Sequence, residues 1–132
     1  MAHMLKGICT VSVFADDVPA AQRWYTEAFG IEAYFERPPH YVEFRVGDYQ
    51  QEFGIVDRAF APTSPESPGG AIVYWHVDDV QAAVEKLIKL GAREHEPITE
   101  RGPGFVTASV VDPFGNVLGV MFNQHYLDVL NS

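Results

Sequence analysis

The feature that most constrains this chain is an internal repeat. Residues 14–21 resemble residues 76–83, and the two copies share the run Asp-Asp-Val, which begins at Asp16 in one and at Asp78, 62 residues later, in the other. Each copy continues to a glycine that follows a large apolar residue, Gly30 in the first and Gly91 in the second. Weaker matches follow in the same order, 42–46 with 106–110 at a shift of 64, and 53–55 with 118–120 at a shift of 65. Such a repeat predicts a fold built from two copies of one module.

Each copy has the pattern of one strand, one helix and three more strands. In the first copy, alternating apolar residues predict strands over 8–15, 32–37, 41–46 and 50–56, and helical spacing predicts a helix from Val18 to Gly30. The second copy repeats the pattern with strands over 71–77, 93–97, 105–111 and 116–122 and a helix over 80–90. Residues 99–104 are predicted to form a hairpin loop or a mobile flap. The predicted fold class is therefore α+β, with two tandem βαβββ modules.

The modules are predicted to occupy residues 5–57 and 71–124. Residues 58–70 between them are rich in Pro, Ser and Gly, which is typical of a linker. A helix covers one face of each curved mixed sheet, so the other faces are expected to enclose a cleft. Together the modules form one domain, as suits a chain of 132 residues.

Charge and composition exclude several functions. The net charge of −9 disfavours nucleic acid and anionic membrane surfaces as partners. No apolar run is long enough to span a membrane. The single cysteine, Cys9, cannot form an intramolecular disulfide, and it is expected to be buried on the helix side of its strand. The expected location is the cytoplasm.

The paired modules resemble the vicinal oxygen chelate superfamily over residues 5–124. The resemblance rests on the repeated modules, the acidic start of each helix, the helix ending Trp24-Tyr25…Phe29-Gly30 and the hairpin Asp112-Pro113-Phe114-Gly115-Asn116. That superfamily contains glyoxalase I, extradiol dioxygenases, epimerases, fosfomycin-resistance enzymes and bleomycin-resistance binding proteins. The resemblance implies a homodimer and a small-molecule ligand.

The resemblance also indicates where metal ligands would lie. Metal-dependent members place His or Glu on the first and last strand of each module, and the corresponding residues of this chain are Thr10, Gly54, Ile72 and Gly119. None of them carries an imidazole or a carboxylate, and a divalent ion needs at least three such donors. We therefore expect no metal and no other cofactor. A register error of two residues would bring Glu52 to the position of Gly54, and Glu52 alone would still supply only one ligand.

Eight residues are predicted to line the ligand site because alternation places them on the strand faces away from the helices. They are Phe14, Tyr41, Glu43, Glu52, Tyr74, His76, Phe105 and Met121. Glu52 and His76 are the two candidates for a catalytic base. Each residue also has a structural alternative. For the apolar residues it is core packing, and for the strand face of Tyr41, Glu43 and Arg45 it is a solvated cross-strand charge pair. For Glu52 it is an ion pair with Arg45, and for His76 a hydrogen bond to Asp78 or Asp79.

Two functions remain open at this point, besides a scaffold without a ligand. The first is a binding protein of the bleomycin-resistance type, with a metal-free cleft that sequesters a small molecule such as a cationic glycopeptide antibiotic. The second is an enzyme, either a lyase or dioxygenase that uses a metal or an isomerase that uses Glu52 or His76. The sequence names no substrate.

Overall fold

The computed structural model describes residue 4 and residues 8–61 and 71–132 of the chain. It divides into two compact units, Met1–Ser64 and Pro65–Ser132. Each unit contains a four-stranded mixed sheet, and the α+β class and the βαβββ order of both modules are confirmed. Of the predicted linker, residues 62–70 lie outside the described residues, as do residues 5–7 of the first module.

The first unit has the order of elements that the repeat predicts. The elements are β1 (Thr10–Ala15), α1 (Val18–Phe29), β2 (Phe35–Arg37), β3 (Tyr41–Val46) and β4 (Gln51–Asp57). The strand order is β1-β4-β3-β2, with β1 parallel to β4 and the other pairs antiparallel. A 3-10 turn over Arg58–Phe60 follows β4, so the predicted linker begins as an ordered turn.

Helix α1 begins and ends as its sequence predicts. The Asp17 side chain accepts a hydrogen bond from the backbone N–H of Ala20 at 3.0 Å, and Gly30 ends the helix with a φ of 73°. The Tyr25 ring packs against Phe53, with centroids 4.9 Å apart. The core of this unit therefore lies between α1 and one face of the sheet, and its buried strand residues are Val42, Phe44, Phe53 and Ile55.

The second unit repeats the architecture and adds a helix. Its elements are β5 (Val73–His76), α2 (Val80–Lys89), β6 (Arg93–Gly102), β7 (Phe105–Val111), β8 (Val117–Asn123) and α3 (Gln124–Leu130). The strand order β5-β8-β7-β6 matches that of the first sheet. In the predicted hairpin between β7 and β8, the buried Asp112 carboxylate accepts hydrogen bonds from the backbone N–H groups of Phe114 and Asn116.

Several local predictions were wrong. Residues 99–104, predicted to be a loop or a mobile flap, are mostly the end of β6. Strand β2 is half as long as predicted, and Cys9, which precedes β1, is exposed and not buried. The alignment of β3 with β7 in the repeat was also wrong. Val42 pairs with Ile55, and Ala108 pairs with Val120, the residue equivalent to Ile55 in the second copy. These pairs relate β3 to β7 by 66 residues, two more than the sequence comparison gave. A slip of two residues keeps every side chain on its face, so the sequence pattern could not reveal it.

Candidate functional site

The face of each sheet that points away from α1 or α2 is called its far face. On the far face of the first sheet, Glu52 lies between Thr10 on β1 and Arg45 on β3, and Gly54 lies between Ser12 and Glu43. The predicted site residues Tyr41, Glu43 and Glu52 therefore share one surface, as alternation along the strands requires. Tyr34, which sequence analysis did not select, joins them from just before β2.

Glu43 is the centre of this surface. One of its carboxylate oxygens accepts a short hydrogen bond from the Tyr34 hydroxyl, and the other accepts one from the Tyr41 hydroxyl. The hydrogen bond to Glu43 raises the pKa of Tyr34, and burial, with the bond to Glu43 second, raises the pKa of Tyr41. Both phenols are therefore protonated donors at neutral pH.

Glu52 is less completely paired than Glu43. Its Oε1 accepts a hydrogen bond from the Thr10 hydroxyl at 2.9 Å, while its Oε2 lies 3.4 Å from the Tyr34 hydroxyl. A phenol has only one proton, and Tyr34 places it on Glu43 at the shorter distance. Among the described residues, Oε2 of Glu52 thus has no donor of its own.

Arg45 was expected to neutralise Glu52 and is placed opposite it across the ladder. Its guanidinium instead lies over the Tyr34 ring, 4.2 Å from the ring centre, in a cation–π contact. Among the ion pairs between described side chains, none joins Arg45 to Glu52. The expected structural pairing is therefore wrong, and the carboxylate remains available to another donor.

Tyr41 also covers Gly54. A Cβ atom built on Gly54 would lie 2.9 Å from the Tyr41 hydroxyl oxygen and 3.1 Å from its Cε1 atom. A larger residue at this position would displace the Tyr41 hydroxyl, so the glycine allows the close approach of the tyrosine.

On the far face of the second sheet a tyrosine also covers a glycine, but this tyrosine lies on a different strand of its module. Tyr74 lies directly opposite Gly119, and a Cβ atom on that glycine would be 2.6 Å from Cδ1 of the Tyr74 ring. The Tyr74 hydroxyl then donates to Oε1 of Glu96 at 2.6 Å, and the buried Ser109 hydroxyl donates to the same oxygen at 2.8 Å. The tyrosine side chain thus crosses from β5 to β6.

These contacts fix the protonation of the pair. The hydrogen bond from Tyr74 lowers the pKa of Glu96, with the bond from Ser109 second, and the same bond to Glu96 raises the pKa of Tyr74. Sequence analysis missed Glu96 and Ser109. A register shift between Glu94 and Glu96 brings two successive residues of β6, His95 and Glu96, against Ser109 of β7. The Nδ1 atom of His95 is 3.0 Å from the Ser109 hydroxyl. Simple alternation places such neighbours on opposite faces.

His76 is held by three contacts. Its Nδ1 accepts a hydrogen bond from the backbone N–H of Asn123 at 3.2 Å, so the neutral ring carries its proton on Nε2, which is 3.4 Å from Oδ1 of Asp78. The ring stacks on Tyr126 of α3 with centroids 4.7 Å apart and planes 7° apart. Its side chain is 9% exposed. This geometry favours the structural alternative over a catalytic base.

The remaining predicted residues, Phe14, Met121 and Phe105, also lie on the far faces. Phe14 pairs with Val56 in the first sheet. Met121 pairs with His76 and with Thr107 in the second sheet, and Phe105, at its edge, is 41% exposed. They supply apolar surface beside the polar groups.

A family model supports the resemblance inferred from the repeat. It is described as Glyoxalase/Bleomycin resistance protein/Dioxygenase superfamily and matches residues 7–120. The chain belongs to this superfamily. Putative glyoxylase CFP32 of Mycobacterium bovis and of Mycobacterium tuberculosis is 30% identical over 122 residues, which are 87% of this chain and 45% of each relative. The chain thus spans less than half the length of these curated relatives.

Solved structures share the superfamily fold. A glyoxalase-related enzyme from Fulvimarina pelagi superposes with a TM-score of 0.72 at 20% identity, covering 91% of this chain and 90% of its own. A lactoylglutathione lyase from Agrobacterium tumefaciens gives a TM-score of 0.69 at 22% identity, covering 90% of this chain and 95% of its own. At this identity the likeness shows the fold alone.

The metal of metal-dependent superfamily members does not fit the residues found here. Thr10 and Ile72 offer no imidazole, and the two glycine positions are covered by Tyr41 and Tyr74. Within residues 8–61 and 71–132, no group of three or more His, Cys, Asp or Glu side chains could hold a metal ion. The described helices also include none that is long and apolar enough to cross a membrane.

Proposed function

We propose that this protein binds a small organic molecule without a metal and that the far face of the first sheet provides the main polar contacts. The observation that carries the proposal is Glu52: among the described residues, the nearest donor to its Oε2 is the Tyr34 hydroxyl at 3.4 Å, which Glu43 shares, while its cross-strand partner Arg45 stacks on Tyr34. This carboxylate oxygen is accessible, so a ligand that donates to it gains a charge-assisted hydrogen bond.

The same surface favours a ligand that has an N–H donor next to an aromatic or apolar group. Glu43, Glu52 and Arg45 together have a charge of about −1 at neutral pH. The exposed rings of Tyr34 and Phe35 border these charges and offer faces for stacking. A cationic amine, as in a glycopeptide antibiotic of the bleomycin type, has both features, and the net charge of −9 attracts it.

The far face of the second sheet is a poorer polar partner for a ligand. Oε1 of Glu96 already accepts hydrogen bonds from Tyr74 and Ser109, and the Ser109 hydroxyl is buried. Glu96 thus already has two close donors from its own sheet, whereas Glu52 has one at 2.9 Å, and we assign the second face an apolar contact surface made by Met121 and Phe105.

Calorimetric titration of metal-stripped protein tests the proposal. The ligand panel contains bleomycin, fosfomycin, a catechol and a thiol, and we expect at least one of them to bind without added metal. Glu52→Gln removes a charge-assisted acceptor, so it should weaken binding by about 10-fold or more. Glu27→Gln is the matched control, because Glu27 is exposed on α1 away from the far face. Binding that requires a metal, or equal loss in both variants, would refute the proposal.

A metal-free isomerase or lyase is the second candidate, and the same oxygen favours it. Oε2 of Glu52, which has no donor, can accept a proton from a bound substrate and thereby act as a general base. Proton NMR of each panel mixture distinguishes the two functions. Unchanged ligand spectra support binding alone, while new signals that disappear in Glu52→Gln support catalysis.

The proposed active form is a homodimer, as the superfamily resemblance implies. Sedimentation equilibrium of the purified chain measures its mass in solution. A mass near twice 14.7 kDa supports the dimer, and a mass near 14.7 kDa contradicts it.

A further inference from the structure

Both sheets contain a glycine that is covered by a tyrosine whose hydroxyl donates to a glutamate. In the first sheet the residues are Gly54, Tyr41 and Glu43, and in the second they are Gly119, Tyr74 and Glu96. The two glycines are the positions at which metal-dependent members of the superfamily carry a ligand on the last strand of each module. The tyrosines therefore lie where a metal-ligating side chain would begin.

The repeat itself does not explain why both sheets have this arrangement. By strand pairing, the residue of the first sheet that corresponds to Tyr74 is Ser12, since each lies opposite the equivalent glycine. The residue of the second sheet that corresponds to Tyr41 is Thr107. The two tyrosines thus come from different strands of the module, and each half of the chain covers its glycine in its own way.

The space above Gly119 cannot accept a side chain while Tyr74 keeps its place. A Cβ atom there would be 2.6 Å from Cδ1 and 2.9 Å from Cγ of the ring, which are the atoms nearest the tyrosine backbone. These atoms cannot rotate away while the hydroxyl stays bound to Glu96 at the other end of the ring. A glutamate at position 119 would therefore have to break the Tyr74–Glu96 bond.

The barrier above Gly54 is of the same kind but weaker. The nearest atom to a Cβ atom there is the Tyr41 hydroxyl oxygen, at 2.9 Å, and this is the far end of the side chain. The hydroxyl is held by Glu43, so a carboxylate introduced at position 54 would compete with Glu43 and with its negative charge.

We propose that Tyr41 and Tyr74 exclude a divalent metal from this chain, because the Tyr41 hydroxyl fills the ligand volume at Gly54 and the base of the Tyr74 ring fills that at Gly119, each held by a hydrogen bond to a glutamate. The inference rests on the metal-independent function proposed above and supplies its physical cause. Restoring the four ligand types would then be insufficient to restore the metal.

Ni²⁺ binding by two variants tests the inference. The first carries Thr10→His, Gly54→Glu, Ile72→His and Gly119→Glu, and the second adds Tyr41→Ala and Tyr74→Ala. We expect the second to bind Ni²⁺ about 10- to 100-fold more tightly than the first, because overpacking opposes the side chains introduced at positions 54 and 119 in the first alone. Equal affinity, or no binding by either folded variant, would overturn the inference.

A smaller set of variants keeps the test informative if these proteins fail to fold. Gly119→Glu should lower the urea midpoint of unfolding, and the loss should be smaller when Tyr74→Ala is also present. Tyr74→Phe keeps the ring and removes the hydroxyl, so it should not rescue Gly119→Glu. Rescue by Tyr74→Phe as complete as by Tyr74→Ala would contradict the argument from ring volume.

The wild-type protein separates this inference from the proposed function. Purified without chelator, it should contain no stoichiometric metal and should not bind added Ni²⁺ at the far faces. Stoichiometric metal in the wild type that is required for ligand binding would refute both proposals. A metal-free wild type whose six-substitution variant gains no affinity over the four-substitution variant would refute only the role of the tyrosines.

Discussion

The two units have the same strand order but use their far faces differently. In the first, Tyr41 reaches Gly54 from the neighbouring strand and joins a network that includes the exposed Tyr34 and leaves one oxygen of Glu52 without a donor. In the second, Tyr74 crosses the sheet to Glu96, and the buried Ser109 completes the bonding of that carboxylate oxygen. The Glu96 carboxylate of the second sheet thus has two close donors from its own sheet, whereas Glu52 of the first sheet has one, from Thr10.

This difference shows how a duplicated module can divide its tasks. The helix faces of both sheets have the same pattern of buried apolar residues, because each must pack against its own helix. The far faces are free of that requirement and have diverged. We interpret the first as the half that recognises a ligand's polar groups and the second as the half whose polar network stabilises the fold.

The largest test of this contrast is the substitution of each covered glycine by alanine. Gly119→Ala should lower the free energy of unfolding by about 2–3 kcal/mol, because its Cβ would overlap the base of the Tyr74 ring. Gly54→Ala should cost about 1 kcal/mol, since the Tyr41 hydroxyl can move aside. Urea unfolding measures both. Gly102→Ala is the control, because a Cβ atom there has nothing within 4 Å. Equal losses at positions 54 and 119 would contradict the contrast.

A second test concerns the ends of β1 and β5. His76 anchors α3 through Asn123 and Tyr126. Its repeat equivalent, Phe14, instead accepts a hydrogen bond at its carbonyl from Arg58 of the 3-10 turn, at 3.2 Å. His76→Ala should lower the free energy of unfolding by about 1–2 kcal/mol, because it removes one hydrogen bond and one ring stack.

The same variant should speed hydrogen exchange at residues 123–130, which hydrogen-exchange mass spectrometry measures. His125→Ala is the control, because His125 lies on α3 and its side chain is exposed. Unchanged exchange in His76→Ala would show that α3 is held by other contacts.

The smallest expected effect is on tyrosine ionisation. The pKa of Tyr74 is raised mainly by its hydrogen bond to Glu96, and that of Tyr41 mainly by burial. Glu96→Ala should therefore bring the ionisation of Tyr74 back towards the usual pH of about 10, while Glu43→Ala should leave Tyr41 ionising well above it. Ultraviolet titration of tyrosinate measures both, and the variants Tyr74→Phe and Tyr41→Phe assign the signals among the six tyrosines.

The sign of the accompanying stability change follows from linkage. A phenol whose pKa is raised by folding stabilises the folded state below its unfolded pKa of about 10, and this contribution is lost as the pH rises through the folded value. The wild type should therefore lose stability in alkali, and Glu96→Ala should lose less of it. A wild type whose tyrosines all ionise together would contradict the raised pKa values.

The sequence predicted the features that depend on periodicity. The repeat, both major helices and their Asp17 and Asp79 caps followed from apolar spacing and capping residues, and all are confirmed. Period-two alternation also put Tyr41, Glu43 and Glu52 on one face. These features depend on local sequence, or on a pattern that is present independently in both copies of the repeat.

The features that were missed depend on contacts between distant residues or on broken periodicity. Glu96 reaches Ser109 because β6 shifts register, which alternation cannot show. Helix α3 has seven residues, and its N-cap, Asn123, is also the last residue of β8. The sequence therefore has no loop between strand and helix that would indicate the start of α3. Arg45 contacts the Tyr34 ring and not Glu52, and Tyr34 lies outside the regular strands, where alternation makes no prediction.

The strand order has a consequence for how the chain is made. Within the described ranges, β1 pairs with β4 alone and β5 with β8 alone, so the partner of each sheet's first strand is the last strand of that sheet to be synthesised. During synthesis β1 must wait for about 40 further residues to leave the ribosome before it can pair, which takes about 2–8 s at the usual rate. A nascent chain halted before Gln51 would thus present β1 as an unpaired edge, open to chaperones or to other nascent chains.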